Sequence, residues 1–494
     1  MNFDDILSKI GGFGKFQKLL YVWICVPQIF LAFHMLVSVF TGAVPPHLCR
    51  SAWPSGATPA ALNFTAAPGD RHPTTSCQDG WEYSKETFQS TTVTEWNLVC
   101  SNSSLNNLGS SVYMFGLLVG AVLFGYLADK YGRRIIILIG LAIQVTFGVA
   151  AAFAPNFYVY TALRFMVGTS ISAVIMNAFV LGTEWTGLRQ RMLAGIITDY
   201  FFGFGYILLA GVAYLIRDWR KLQLAISAPG FLFIVYIWVL PKSARWLMAN
   251  DRKEEAWDVI QKAAEMNGKP ISKDMEMCQL KKKHSLVDLV RTPTMRKQSL
   301  IVFYLWFVNV LVYYGLSLNI SDFGMNIYLT QMIFGLVEMP ARTITLFTLN
   351  RSRKFSQLAF LAVGGSACLL TTCIPSDLSV VRTVLAMIGK FGITASLSII
   401  YVYSAEIFPT VIRQNGIGIG SMCARIGGVL APMMHLLKNI NPHAPMILSG
   451  LCPLLGAGLT LLLPETANKP LPDTIEDAAI FDPRNVTMDT PRKD

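Results

Sequence analysis

The chain has 494 residues, 53% hydrophobic and 14% charged, with a mean hydropathy of +0.46. So small a charged share excludes an ordinary soluble domain and points to a polytopic membrane protein. The net charge of +11 is accounted for by membrane-flanking loops and calls for no nucleic-acid partner.

A helix needs roughly 20 apolar residues to cross a bilayer. That ruler predicts about twelve spans: 18–40, 108–128, 135–154, 158–182, 193–215, 222–241, 298–317, 326–349, 356–374, 379–402, 415–437 and 444–463. The polar stretch 1–17 ahead of the first span reads as a cytosolic N-terminus rather than a cleavable signal.

The loop 41–106 follows, carrying the sequons at Asn63 and Asn102 with Cys49, Cys77 and Cys100. Glycans and disulfides need an oxidising face, so this loop is expected outside. Three cysteines allow one disulfide and one free thiol, with the connectivity open. A third sequon, at Asn485, falls on the cytosolic side and is expected to be silent, and the remaining cysteines lack metal-ligand spacing. No cofactor or metal is expected.

The run Gly125–Arg134, GYLADKYGRR, is a short polar turn between two apolar segments. It must join antiparallel neighbouring helices, with Asp129, Arg133 and Arg134 clustered at their ends. Further on, residues 242–297 hold thirteen Lys or Arg, against only Arg50, Arg71 and Lys85 in the loop 41–106. The positive-inside rule therefore puts 242–297 and both chain ends in the cytosol. Arg217–Lys221, RDWRK, falls outside and is a local exception. Within the linker, EEAWDVIQKAAEM reads as amphipathic helix, and Lys281–Lys283 as a patch that meets anionic lipid headgroups.

The two halves echo each other: Glu184 and Arg191 recur as Glu406 and Arg413, about 222 residues later, and Pro464-Glu465-Thr466 matches Pro241-Lys242-Ser243. The organisation expected is a six-helix half over 18–241, a linker over 242–297, a second half over 298–464 and a cytosolic tail from 465 to 494. Such duplications place a substrate site between the halves near the membrane midplane. The charged loops Asp129, Arg133, Arg134, Glu184, Arg191, Glu406, Arg413 and Glu465 read as a cytosolic gate that pairs across the gap on closure. Helix capping and topology signals are the competing use of the same residues.

Ionisable residues inside spans are costly and mark function. They are Arg164, Arg342, Lys390 and Arg425, with Asp199 and Glu338. At 1.5 Å per residue Arg425 lies about 15 Å and Arg342 about 10 Å from the cytosolic surface. A guanidinium there keeps its charge and grips a carboxylate or sulfonate through two parallel bonds. Arg342 has Glu338 as an i, i+4 alternative partner, and Arg164 reads as structural, with Asp199 as partner. Lys390 is open between the two roles. No nucleophile elbow, HExxH or phosphate-binding GxxxxGK[ST] loop is present, so no enzyme is expected.

WNLVC, GYLADKYGRR, LAGVAYLIRDWR, SARWL, YYGLSLN, AEIFPTVIRQNG and LLPET together resemble the organic ion transporter family, solute carrier 22, of the major facilitator superfamily. The resemblance runs to about Asp477 and implies an all-α fold of twelve helices in two pseudo-symmetric halves. Lys242 departs from the usual Glu, and Ser352 from the usual Gly of the second loop copy. Arg425 in SMCARIGG and Arg342 in MPAR match the organic anion branch. The resemblance implies a plasma-membrane carrier moving organic anions (urate, nicotinate, aryl carboxylates, sulfate conjugates) by alternating access, in exchange for a dicarboxylate counter-ion. Trp306, Tyr313, Tyr314, Tyr214 and Tyr401 match pocket-lining aromatics, and His34 is a candidate donor, with a structural histidine as its bland alternative. A cation or zwitterion carrier of the same family is the alternative, and a non-transporting membrane sensor a weaker one.

Overall fold

The computed structural model describes residues 3–49, 80–187, 191–269, 288–320, 325–349, 351–375, 377–409 and 412–467. Asn63, Cys77, the Lys281–Lys283 patch and the tail beyond 467 lie outside the described residues, as do the side chains of Cys49 and Arg191.

The membrane-crossing helices are α1 (Lys15–Leu36), α2 (Ser103–Tyr131), α3 (Arg133–Ala151), α4 (Phe157–Glu184), α5 (Arg191–Leu215) and α6 (Trp219–Val239) in one half. The other half holds α7 (Pro293–Leu318), α8 (Ile327–Leu349), α9 (Arg353–Cys373), α10 (Ser379–Ile407), α11 (Arg413–Leu430) and α12 (Ala444–Thr460). Among the described residues eleven helical segments are long and apolar enough to span a membrane. The twelfth, α12, is apolar but only 17 residues long, because its last turn loosens before Leu463. α11 runs on into a 3-10 turn at Pro432–Asn439.

Local chemistry sets the breaks. Gly132 alone separates α2 from α3 and takes φ +95°, a conformation only glycine adopts freely. Asn156 caps α4 by accepting from Val159 N–H at 2.9 Å, and Ser352 caps α9 by accepting from Phe355 N–H at 3.1 Å.

Glycines bring backbones into contact inside each half. A Cβ on Gly168 of α4 would lie 2.4 Å from the Tyr113 carbonyl of α2, and one on Gly427 of α11 would lie 2.4 Å from the Phe307 carbonyl of α7. The halves meet along α5 with α8 and α2 with α11.

The loop expected to lie outside docks as a small aromatic cluster. Strands β1 (His47–Cys49) and β2 (Trp81–Tyr83) pair antiparallel, and Trp96 packs on Tyr160 and Trp219 with centroids at 5.6 and 5.2 Å. Glu95 accepts from Trp219 Nε1 at 2.7 Å and from Arg220 Nη2 at 2.5 Å, while Arg217 donates to the Glu86 carbonyl at 3.0 Å. Both arginines of RDWRK are thus held by the segment 80–106, which gives them a structural use at the end expected to lie outside.

Candidate functional site

The ionisable core residues gather at the interface of the halves. Arg342 of α8 pairs with Asp199 of α5 at 2.5 Å and with Glu338, one turn earlier on its own helix, at 3.4 Å. Glu338 also receives Lys390 of α10 at 3.2 Å and the Tyr313 hydroxyl. Lys390 donates to Ser317 Oγ at 2.5 Å and lies 3.1 Å from the centre of the Tyr313 ring. Glu338 and Lys390 side chains have no exposure, Arg342 has 8%, and Asp199 keeps 46%. Two cations are therefore neutralised by two carboxylates, with Asp199 turned partly toward open space. Burial of such charges is tolerated only because each finds a partner.

Arg425 is different. Its Nη1 donates to the Ser421 carbonyl at 3.0 Å and to Ser421 Oγ at 2.5 Å, one turn back on α11. It has no carboxylate partner among the described residues. Nε and Nη2 are left for a ligand, and Tyr401 and Tyr314 lie within its electrostatic reach.

The predicted aromatics divide. Trp306 is fully buried, donates to Ser404 Oγ at 2.9 Å and packs edge-on to the half-exposed Tyr401 at 4.3 Å. Tyr313 and Tyr314 stack edge to face at 5.1 Å, and the Tyr314 hydroxyl reaches Met35 Sδ of α1 at 3.8 Å. These four surround the charged core. Tyr214 sits instead at the outer end of α5, against Tyr328 at 5.6 Å and beneath Arg217. His34 is buried within the first half, and its carbonyl accepts from Arg164 at 2.7 Å. Arg164 also covers the Tyr113 ring at 4.3 Å. The expected Arg164–Asp199 pair is therefore corrected. Asp199 belongs to Arg342, because α5 faces α8 rather than α4 at this depth.

At the outer end, Tyr328 of α8 closes the seam. It stacks on Phe40 at 5.4 Å and 10°, touches Phe88 at 5.9 Å, and donates to the Thr87 carbonyl at 3.0 Å. Sequence reading missed this residue because nothing marks a single tyrosine at a helix start.

At the end expected to be cytosolic, the described charges cluster within each half. Arg133 pairs with Asp129 at 2.7 Å and with Glu184 at 3.8 Å, and Ser243 donates to Glu184 at 2.5 Å. Arg134 bonds the Ile237 carbonyl. Lys242, the departure from the family pattern, pairs with Glu255 of the linker at 2.9 Å. Hydrogen bonds from Lys242 and Arg252 hold the Glu255 carboxyl below the usual range. In the other half Arg353 pairs with Glu406 at 3.1 Å, Thr466 donates to Glu406 at 2.6 Å, and Arg413 donates to the Phe408 carbonyl at 3.2 Å. Glu465 accepts from the Ser352 hydroxyl and from the N–H groups of Arg353 at 3.0 Å and Ala467 at 2.9 Å. The named ion pairs stay within their halves rather than crossing the gap.

A family model described as sugar (and other) transporter matches residues 63–477. Human solute carrier family 22 member 13 is 40% identical over 96% of this chain and 93% of its own length. Rabbit (Oryctolagus cuniculus) solute carrier family 22 member 6 is 38% identical over 97% and 94%. A Drosophila melanogaster protein named organic cation transporter is 39% identical over 99% and 97%. Among solved structures, a partially occluded inward-open form of the xylose transporter XylE from E. coli has a TM-score of 0.65 at 15% identity, covering 92% of this chain and 100% of that one. The last likeness is one of fold alone. The fold and the full-length relatives agree: the chain belongs to solute carrier family 22 and is a multi-pass transporter with the all-α major facilitator architecture.

Proposed function

We propose that this transporter moves organic anions across the plasma membrane by alternating access, in exchange for a dicarboxylate. The observation that carries the reading is Arg425, a mid-span guanidinium with no carboxylate partner among the described residues, beside Arg342 and Lys390 that are both neutralised. A partly buried cation at this depth is favourable when an anion completes it. The two-bond fork of Arg suits a carboxylate or sulfonate, and the Tyr314 and Tyr401 rings, with the fully buried Trp306 packed behind Tyr401, suit an aryl body. Urate, nicotinate, aryl carboxylates and sulfate conjugates fit that description. In this reading the outer loop is glycosylated at Asn63 and Asn102, both termini are cytosolic, and the cytosolic networks serve as gate elements within their halves.

The half-exposed Asp199 and the relative named as a cation transporter favour a second reading, a carrier of organic cations or zwitterions. Uptake of a labelled panel (urate, nicotinate, an aryl carboxylate, a steroid sulfate, a quaternary amine) into vesicles preloaded with or without succinate separates the two. Anion uptake stimulated by preloaded succinate is expected. Uptake of the quaternary amine alone overturns the anion reading.

A further inference from the structure

A cavity of about 190 Å³ opens at the end of the second half opposite the Glu406 and Glu465 cluster. It lies between α7, α10, α11 and α12, away from the Arg425 core, and its wall includes Leu316, Arg382, Met434, Lys438, Met446 and Ser449. Most of that wall is apolar, yet two cations reach it.

Arg382 is the telling residue. Its Nε is buried without a hydrogen-bond partner, and its guanidinium makes no ion pair among the described residues. It stands in the first turns of the 29-residue α10, where the positive end of the helix dipole disfavours a cation. The N-terminus of α12, through Pro445 and Met446, points at the same space and adds to the positive potential. Asp377, in the turn before α10, makes no ion pair with it among the described residues. A positive site of this strength beside apolar walls is matched by an anionic headgroup with an apolar body.

Size and surroundings refine the class. The cavity is smaller than the roughly 300–1,000 Å³ of a drug-sized pocket, so it holds a headgroup and the first few carbons. Beyond it, Val381 and Val384 of α10 are 42% and 48% exposed, and Ile440 is 83% exposed. A longer tail finds apolar surface at that level. We infer that this outer cavity is a binding site for an amphiphilic carboxylate, sulfonate or phosphate, distinct from the transport core and held by Arg382. The same chemistry is offered by a soluble aliphatic acid and by an anionic phospholipid of the outer leaflet.

The test uses the full-length protein in phosphatidylcholine nanodiscs, photolabelled with a diazirine-bearing decanoate and read by peptide mass. Label is expected in peptides covering 379–400 or 434–455. It should fall at least fivefold in Arg382→Gln and in the cavity-filling Met446→Trp, and stay unchanged in Arg425→Ala. Displacement by octanesulfonate assigns the site to soluble acids; displacement by added phosphatidylglycerol assigns it to lipid. Size-exclusion profiles check that each variant is folded, and Met446→Trp carries the test should Arg382→Gln aggregate. Label that persists in both variants, or disappears in Arg425→Ala, overturns the assignment.

Discussion

Asp199 and Arg342 form a 2.5 Å ion pair that joins the two six-helix halves through α5 and α8. Sequence places the two residues far apart, and each has a different fate if the other is removed. Arg342 keeps Glu338 when Asp199 is lost, but Asp199 loses its ion-pair partner when Arg342 is lost. Asp199→Asn should therefore be milder than Arg342→Gln. A double-mutant cycle on thermal stability in detergent should show a coupling of roughly 0.5–3 kcal/mol. Additive effects would mean that the pair does not hold the halves together.

Arg425 makes a graded prediction. Alanine removes a charge-assisted bond of roughly 1.5–3 kcal/mol, or about ten- to a hundred-fold in substrate affinity. Lysine should recover part of this, since charge remains while the fork is lost. Competition uptake with surface biotinylation reads both. Normal affinity for organic anions in a surface-expressed Arg425→Ala would falsify the anion-site assignment.

Tyr328 should act as an outer latch. Its stacking on Phe40, its tilted contact with Phe88 and its edge contact with Tyr214 are each worth about 0.5–1.5 kcal/mol beyond area. Tyr328→Ala should shift the resting population toward the outward-open form. A cysteine placed at Tyr314 should then react faster with an impermeant thiol reagent added outside. An unchanged rate at equal expression removes the latch.

The Glu465 end of the second half carries a pH dependence. Burial raises the Glu465 carboxyl, but the Ser352 hydroxyl and the N–H groups of Ala467, Arg353 and Lys354 outweigh it, so the group lies below its ordinary value. A depressed carboxyl contributes stability fully above its unfolded pKa, about 4.3, and loses it as pH falls through the folded value. Proteolysis of the tail should therefore accelerate below about pH 4.3 in the native chain. In Glu465→Gln it should already be fast at neutral pH and flat through that range.

Much of this was legible in the sequence, for physical reasons. Spans announce themselves because lipid demands about 20 apolar residues in a row. Arg425 announced itself because an Arg without an acid at helical spacing has few structural uses at that depth. The Arg342–Glu338 alternative was visible as an i, i+4 pair. Asp199 was misassigned because partners on facing helices of different halves carry no spacing signal. The gate charges were expected to pair across the gap on closure; in this structure Arg133 meets Glu184 and Arg353 meets Glu406 inside their own halves, because α3 packs on α4 and α9 on α10. Tyr214 matched a pocket position by resemblance but sits at the outer seam beside Tyr328.

The glycine contacts inside each half have a mechanical consequence. Backbones in van der Waals contact resist sliding, so each six-helix unit moves as a block, and α8 becomes a lever. A Cβ on Gly335 would lie 3.1 Å from the Ile207 nitrogen of α5, which makes this point a fulcrum. Tyr328 and Arg342 stand seven residues to either side, arms of about 10 Å each. A rocking of about 15°, the scale of rigid-body subunit rotations, displaces each end by only about 3 Å. That travel parts a ring stack or an ion pair while leaving the rest of the interface engaged, so the whole stroke is spent on the contacts that matter at its two tips.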